Sequence, residues 1–250
     1  MRRGKVIGAL VLLVAIGLIV VLQPGSTDRN APSDPSAVPS ATFVAQAVGE
    51  GPVPGSSAPR VFNVDASQSE VYWRIYKAGA LARLGHNHVI SVTGLSGTVT
   101  LGNDLGAAEW SLRIPVAGLI VDDPGIRARY GEDFSSVPSD EDKEGTKRNM
   151  LTAEVLDGAT FPEIRLSGRG VSGSLASAEL PVSIEILGRV VERRFPAQVA
   201  VGADSLTVTG EYRLTHTDLG LKPFTALGGM MSVGEEIDFT YRIHAVAGTP

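Results

Sequence analysis

From Val71 onward the chain alternates. Val71, Trp73 and Ile75 take every second position, with Tyr72, Arg74 and Tyr76 between them. Ala108, Trp110, Leu112 and Ile114 alternate in the same way with Glu109, Ser111 and Arg113, and Ile237, Phe239, Tyr241 and Ile243 with Asp238, Thr240, Arg242 and His244. A period of two places each apolar set on one face, so these segments read as half-buried antiparallel strands with polar side chains outward. The pattern predicts strands over 61–65, 69–77, 88–101, 107–116, 161–171, 178–188, 194–202, 206–216 and 235–246. Turn signals such as Asn103-Asp104, Gly188-Arg189 and Ala203-Asp204 separate them. The alternation lapses between Asp122 and Asp157. There Ser139 and Asp142 have the spacing of a helix N-cap and its N3 partner, Asp140 and Glu141 fall in the first turn, and Lys147 and Arg148 in the last. This predicts a short helix ending at Met150 and Leu151, covering a sheet edge or one mouth of a barrel. The fold class is all-β. A closed sheet of such strands encloses an apolar interior that can hold a ligand as readily as a core.

Ahead of the strands lies different material. Val6 to Leu22 is an unbroken apolar run behind Arg2, Arg3 and Lys5. At about 1.5 Å per residue it just reaches across a bilayer's hydrocarbon core. Gln23-Pro24-Gly25-Ser26 is a poor cleavage site, so a signal anchor (1–23) is favoured over a cleaved signal and secretion. The basic flank then stays in the cytoplasm and the rest is exported to the periplasm or cell surface. Residues 24–60, rich in Pro, Ser, Ala and Gly, read as a flexible linker. The domain proper is 61–250, roughly 190 residues, a usual size for one all-β unit.

Charge and composition narrow the chemistry. The net charge is −5, and setting aside Arg2, Arg3 and Lys5 leaves the remainder at about −8. An acidic domain argues against nucleic acid as a partner. The absence of cysteine excludes disulfides and thiolate metal sites. Gly168-Arg169-Gly170-Val171-Ser172-Gly173 matches a dinucleotide fingerprint in letters, but strand follows it where a helix would have to begin. Asp140-x-Asp142-x-Glu144-Gly145 begins like a calcium loop and puts Leu151 where a bidentate Glu is needed. No nucleophile is paired with a base.

Histidine is the one suggestive exception. His86 and His88, at i and i+2 on a strand, point the same way. His216 shares the inward parity of Leu214 and Tyr212. If the strand ends meet at one rim, His86, His88 and His216 could form a three-histidine metal site, the basis of an alternative reading as a metal-dependent or redox-linked enzyme. Against it stand the lack of a sequence-local carboxylate partner and a plainer role as polar groups at a loop–strand junction.

Several ordered segments carry a resemblance. Val64-Asp65-x-x-x-Ser69-x-Val71-x-Trp73, Thr93-Gly94-x-x-Gly97, Thr146 to Leu151 followed by Phe161-Pro162-Glu163-Ile164, and Asp218 to Phe224 with Val233-x-Glu235-Glu236-Ile237 resemble the YceI-like family of polyisoprenoid-binding, lipocalin-like barrels. The resemblance spans about residues 61–247. It implies an eight-stranded antiparallel barrel with an apolar tunnel for an isoprenoid chain, and no established catalytic residues. The membrane anchor and the Gly85-His86-Asn87-His88 segment depart from the commonest form of the family. The expected function is therefore binding of a polyisoprenoid lipid or quinone, with no other cofactor. Val71, Trp73, Ile75, Trp110, Leu112, Ile114, Phe239 and Tyr241 would line the tunnel, and Arg83, His86, His88 and Lys222 would meet the headgroup. The expected partners are that ligand and the membrane, through the anchor; whether the protein forms a homodimer is left open.

Overall fold

The computed structural model describes residues 59–248. The predicted anchor and all but the last two residues of the predicted linker lie outside the described residues. Among the described residues no helix is long and apolar enough to cross a membrane. The strands are β1 (Arg60–Val64), β2 (Glu70–Ala78), β3 (His88–Val92), β4 (Ser96–Leu101), β5 (Glu109–Pro115), β6 (Leu119–Val121), β7 (Glu163–Arg169), β8 (Ser172–Ser174), β9 (Ser177–Ile186), β10 (Arg189–Val201), β11 (Ser205–Thr215), β12 (Thr225–Ala226) and β13 (Met231–Ala247). Two helices, α1 (Pro124–Arg127) and α2 (Asp140–Met150), lie between β6 and β7.

Eight strands close a ring in the order β1, β4, β5, β7, β9, β10, β11, β13 and back to β1. Every pairing in it is antiparallel. The remaining main strands extend the same walls. β1 and β2 both pair with β13, β3 runs on into β4, and β6 continues β5 to pair with β3. The predicted strand over 88–101 is thus two strands with a bend at Thr93–Leu95, and β6 is a short strand that the alternation did not signal. Its Leu119 and Val121 face inward and Ile120 outward, too short a run to show a period.

The predicted helix is present. Ser139 caps α2, accepting from the Asp142 N–H at 3.2 Å while the Asp142 carboxylate accepts from the Ser139 N–H at 3.1 Å. After it, Met150, Leu151 and Val155 pack against the barrel core and Leu156 is buried in it. This end, where β2 ends and β3 begins, is called the upper end below. At the lower end Phe62 is fully buried with Leu101, Leu206 and Ala245. Arg60 lies over the Phe62 ring, 5.2 Å from guanidinium carbon to ring centre, and donates to the Gly202 and Ala203 carbonyls.

The outer face departs from expectation. Tyr72 and Arg74, predicted to face water, do point outward, but they are only 1 % and 3 % exposed. The segment after β6 folds over them: Tyr72, Val89, Tyr130 and Phe134 form a second apolar cluster, and the Arg74 guanidinium sits 4.4 Å from the centre of the Tyr130 ring. Asp238 accepts from Tyr76 at 2.5 Å and from Arg213 in two bonds, with Arg74 3.5 Å away. Burial opposes ionisation of Asp238, but these bonds and charges outweigh it and hold its pKa below the usual carboxylate range.

The ring is not uniformly zipped. β10 and β11 pair only over Gln198–Val201 with Leu206–Thr209. The next residues explain the break. Pro196 has no N–H to donate, and its carbonyl accepts from the Tyr241 hydroxyl instead. Tyr241 reaches it by lying across Gly210, where a Cβ would collide with both groups. Above this point β10 and β11 are joined by side chains. Phe195 and Tyr212 stack with centres 4.8 Å apart, Arg193 binds the carbonyl and carboxylate of Asp218, and Arg189 binds the Gly220 carbonyl. Trp110 lies over Gly168 in the same manner, where the pairing of β7 with β9 stops opposite Pro181.

Gly210→Ala should therefore destabilise the fold by about 1–3 kcal/mol, the usual cost of overpacking. Gly145→Ala in α2, whose Cβ would meet nothing closer than the Arg148 guanidinium at 3.7 Å, should stabilise by roughly 0.5–1 kcal/mol. Urea midpoints of the two variants should move in opposite directions from the parent.

Candidate functional site

The barrel interior is arranged in tiers. On β13, Ile237 and Ile243 are buried, whereas Phe239 and Tyr241 between them keep accessible surface although they face inward. On β11, Leu206 and Leu214 are buried and Val208 and Tyr212 between them are not. Val71 and Trp73, paired with Tyr241 and Phe239, complete this belt on β2, with Trp110 and Leu112 on β5. Between the two buried tiers these half-buried side chains form a continuous apolar belt on the inner face of the wall. The rings lie along the wall: Trp73 and Phe239 are tilted at 40° with centres 5.9 Å apart, and Trp110 and Tyr241 cross their glycines.

Seven of the eight predicted lining residues fall on this belt or its margin, Ile75 being at the upper margin. Ile114 is the exception, buried in the closed upper tier. On the outside, a groove of about 510 Å³ opens where β7 and β9 part, with Trp110, Gly168 and Pro181 in its lining and Thr100, Ser183 and Glu192 around it.

The four predicted headgroup residues separate into two pairs. Arg83 and Lys222 are exposed on upper loops. His86 and His88 lie together, ring centres 6.2 Å apart. His88 shares the inward parity of Ile90, and its Nδ1 is 2.6 Å from Asp122 Oδ2. Asp122 is 1 % exposed and has a positive φ of 54°, a strained conformation for a residue other than glycine. Its other oxygen accepts from the Val89 N–H at 2.9 Å and from Arg127 at 2.7 Å, and Arg127 also donates to the Asn87 and Ser136 carbonyls. The carboxylate fixes the His88 ring and leaves Nε2 as the nitrogen without a partner among the described residues. Burial disfavours the Asp122 anion, yet the His88 and Val89 hydrogen bonds and the charges of His88 and Arg127 prevail and keep its pKa below the usual range. For His86, burial first and then neighbouring His88 push the pKa down.

The predicted three-histidine centre is not assembled. His216 does lie at the upper end, but it is 7 % exposed and its Nδ1 is 3.0 Å from the Glu235 carbonyl. Among the described residues no group of three or more His, Cys, Asp or Glu side chains is disposed to hold a metal ion. Two functional candidates escaped the sequence. Asp122 is a carboxylate partner for His88, supplied from 34 positions away. Arg193 directly opposes inward-facing Val182, which makes it a cation of inward parity. The predicted strand began at Arg194, so its parity went unread.

A family model for the YceI-like domain matches residues 62–245. Comparison with curated proteins returns no match. Among solved structures, Burkholderia cenocepacia BcnA is similar at 12% identity and a TM-score of 0.52, over 72% of this chain and 98% of that one. The Campylobacter jejuni YCEI protein is similar at 9% identity and a TM-score of 0.46, over 64% of this chain and 85% of that one. At 12% identity the likeness to BcnA speaks to fold alone.

Asp122 generates a pH prediction. Its folded pKa lies below the unfolded value of about 3.9, so its contribution to stability is present above pH ~4 and is lost as pH falls through the folded pKa. Asp122→Asn should cost roughly 3–5 kcal/mol at neutral pH by stranding Arg127. It should also flatten the decline in stability below pH ~4. Urea unfolding between pH 2.5 and pH 7 (roughly the span of carboxylate titration) measures both effects.

Proposed function

Because this chain belongs to the YceI-like family, we propose that it is an extracytoplasmic binding protein that holds an apolar, chain-like molecule, a polyisoprenoid lipid or quinone, within its barrel. The observation that supports this reading is the belt of inward-facing apolar side chains that keep accessible surface between two closed tiers. Burying an apolar chain there gains about 25 cal/mol per Å² removed from water, less the cost of ordering the chain. The belt carries no charge, so it selects for apolarity and length. Polar recognition falls to the upper tier, where Arg193 and the Nε2 of His88 are the groups suited to a phosphate or quinone oxygen. Export follows from the basic-flanked apolar run at 6–22, whose role as an anchor belongs to this proposal.

The test is extraction of the whole chain after mild solubilisation from membranes of its own host, followed by mass spectrometry. A series of masses spaced by isoprene units supports the reading. Both tryptophans of the chain, Trp73 and Trp110, belong to the belt, so an isoprenoid quinone should quench their emission as it binds. Absence of organic cargo together with unchanged emission would sink the proposal. Above Gln198 the edge between β10 and β11 is held by side chains, and Arg193→Ala should speed ligand release by a few-fold, since a half-exposed ion pair contributes up to about 1 kcal/mol. Stopped-flow recovery of tryptophan emission reads that rate; an unchanged or slower release would place the access route elsewhere.

A further inference from the structure

We propose that two upper-end loops, residues 79–85 and 227–231, form a docking surface for an anionic lipid bilayer. The inference concerns the outside of the domain and holds whichever molecule the barrel carries. The loops are joined to each other: the Leu81 N–H donates to the Met230 carbonyl at 2.9 Å, and Gly79 leaves no room for a Cβ against that same carbonyl. Behind them, Lys77 donates to the Gly85 carbonyl and Gly85 lies close to the Met231 side chain.

What these joined loops present is apolar and cationic. Leu84, Leu227 and Met230 are 54 %, 58 % and 50 % exposed. Large apolar side chains held out at neighbouring loop tips signal an interaction surface. The charge is one-signed. No Asp or Glu occurs from Lys77 to Ser91 or from Leu219 to Gly234, in a chain with net charge −5, while Lys77, Arg83 and Lys222 fall within these segments and are exposed. The nearest acidic groups in sequence, Asp218 and Glu235, are occupied at the base of the loop by Arg193 and by Thr215 and Thr217. On the other side, Asp133 and Asp142 of the β6–β7 insertion come up beside Asn87 and His86, so the acidic insertion borders the surface at its Gly85 end.

The shape agrees with a fluid partner. Gly228 and Gly229 both have positive φ, 65° and 89°, so the tip turns sharply and projects. Projecting apolar tips that share their segments with exposed cations suit the acyl boundary and anionic headgroups of a bilayer, where each basic residue near the surface adds attraction that salt screens. A flat protein partner would instead need a broad complementary face.

The chain contains no cysteine, so single cysteines at Leu84, Leu227 and, at the lower end, Val246 can each carry a fluorophore on the full chain. Each labelled chain is reconstituted into vesicles containing a lipid-borne quencher, made of phosphatidylcholine alone or of equal parts phosphatidylcholine and phosphatidylglycerol. The expected result is quenching at Leu84 and Leu227 several-fold stronger than at Val246, dependent on phosphatidylglycerol and weakened by salt. Arg83→Gln with Lys222→Gln should halve it or better. Because both residues are exposed, circular dichroism should be unchanged, and Met230→Ser should weaken quenching at Leu227 independently. Equal quenching at all three positions, or none that depends on anionic lipid, overturns the proposal. Self-quenching between labelled chains without vesicles would assign the surface to a second copy and overturn it too.

Discussion

The upper end of this barrel is organised around one buried carboxylate. Asp122 follows directly on β6, in a left-handed backbone conformation that redirects the chain out of the wall. Its two oxygens are shared between the β3 backbone, the His88 ring and Arg127 of the short helix that follows. A buried anion is tolerated only when paired and fully hydrogen-bonded, so wall, histidine and insertion must all be in place together. Arg127 in turn holds the Asn87 and Ser136 carbonyls, which positions the loop bearing His86. Folding the insertion over the barrel and presenting the histidine pair are therefore one event.

That arrangement bears on the unusual distribution of burial. Apolar burial is not confined to the barrel interior, and the outer face carries a share of it. The insertion covers Tyr72, Val89 and the Arg74–Asp238 pair, building a second core on the outside of β2, β3 and β13. Polar groups that would be costly in the lumen are thus concentrated outside it, where Tyr76 and Arg213 can satisfy them.

Much of this was legible in the alternation of apolar and polar positions. Parity alone placed Val71, Trp73, Trp110, Leu112, Phe239 and Tyr241 on the inner face, because a strand's period of two does not depend on its neighbours. The α2 boundaries were legible because the cap is local, Ser139 answering Asp142. What sequence could not supply is anything settled by distant segments. The burial of Tyr72 and Arg74 depends on Tyr130 and Phe134 folding back. The partner of His88 comes from the far side of β4 and β5. The three-histidine site failed for the same reason: parity brought His216 to the upper end, but its approach to His86 and His88 is set by distant packing, and among the described residues no such group is disposed to hold a metal ion. Arg193 was missed because β10 begins at Arg189, before its alternation becomes apolar.

The seam between β10 and β11 joins these features. A proline, a glycine and an aromatic act together there: Pro196 withholds its donor, Gly210 withholds its side chain, and Tyr241 fills both vacancies with one ring and one hydrogen bond. Below the seam the wall is zipped by backbone and the floor is closed by Phe62 under Arg60. Above it the wall is closed by side chains, ending in Arg193 on Asp218. Side-chain closures open at lower cost than a continuous ladder, since no backbone donor is left buried when they part. Polarity is graded in the same direction, from an uncharged belt to Arg193, His88 and His216 at the top. An amphiphilic chain held in this barrel would find only one orientation that satisfies both its ends, with its tail toward Phe62 and its head toward the loops that carry Leu84 and Met230.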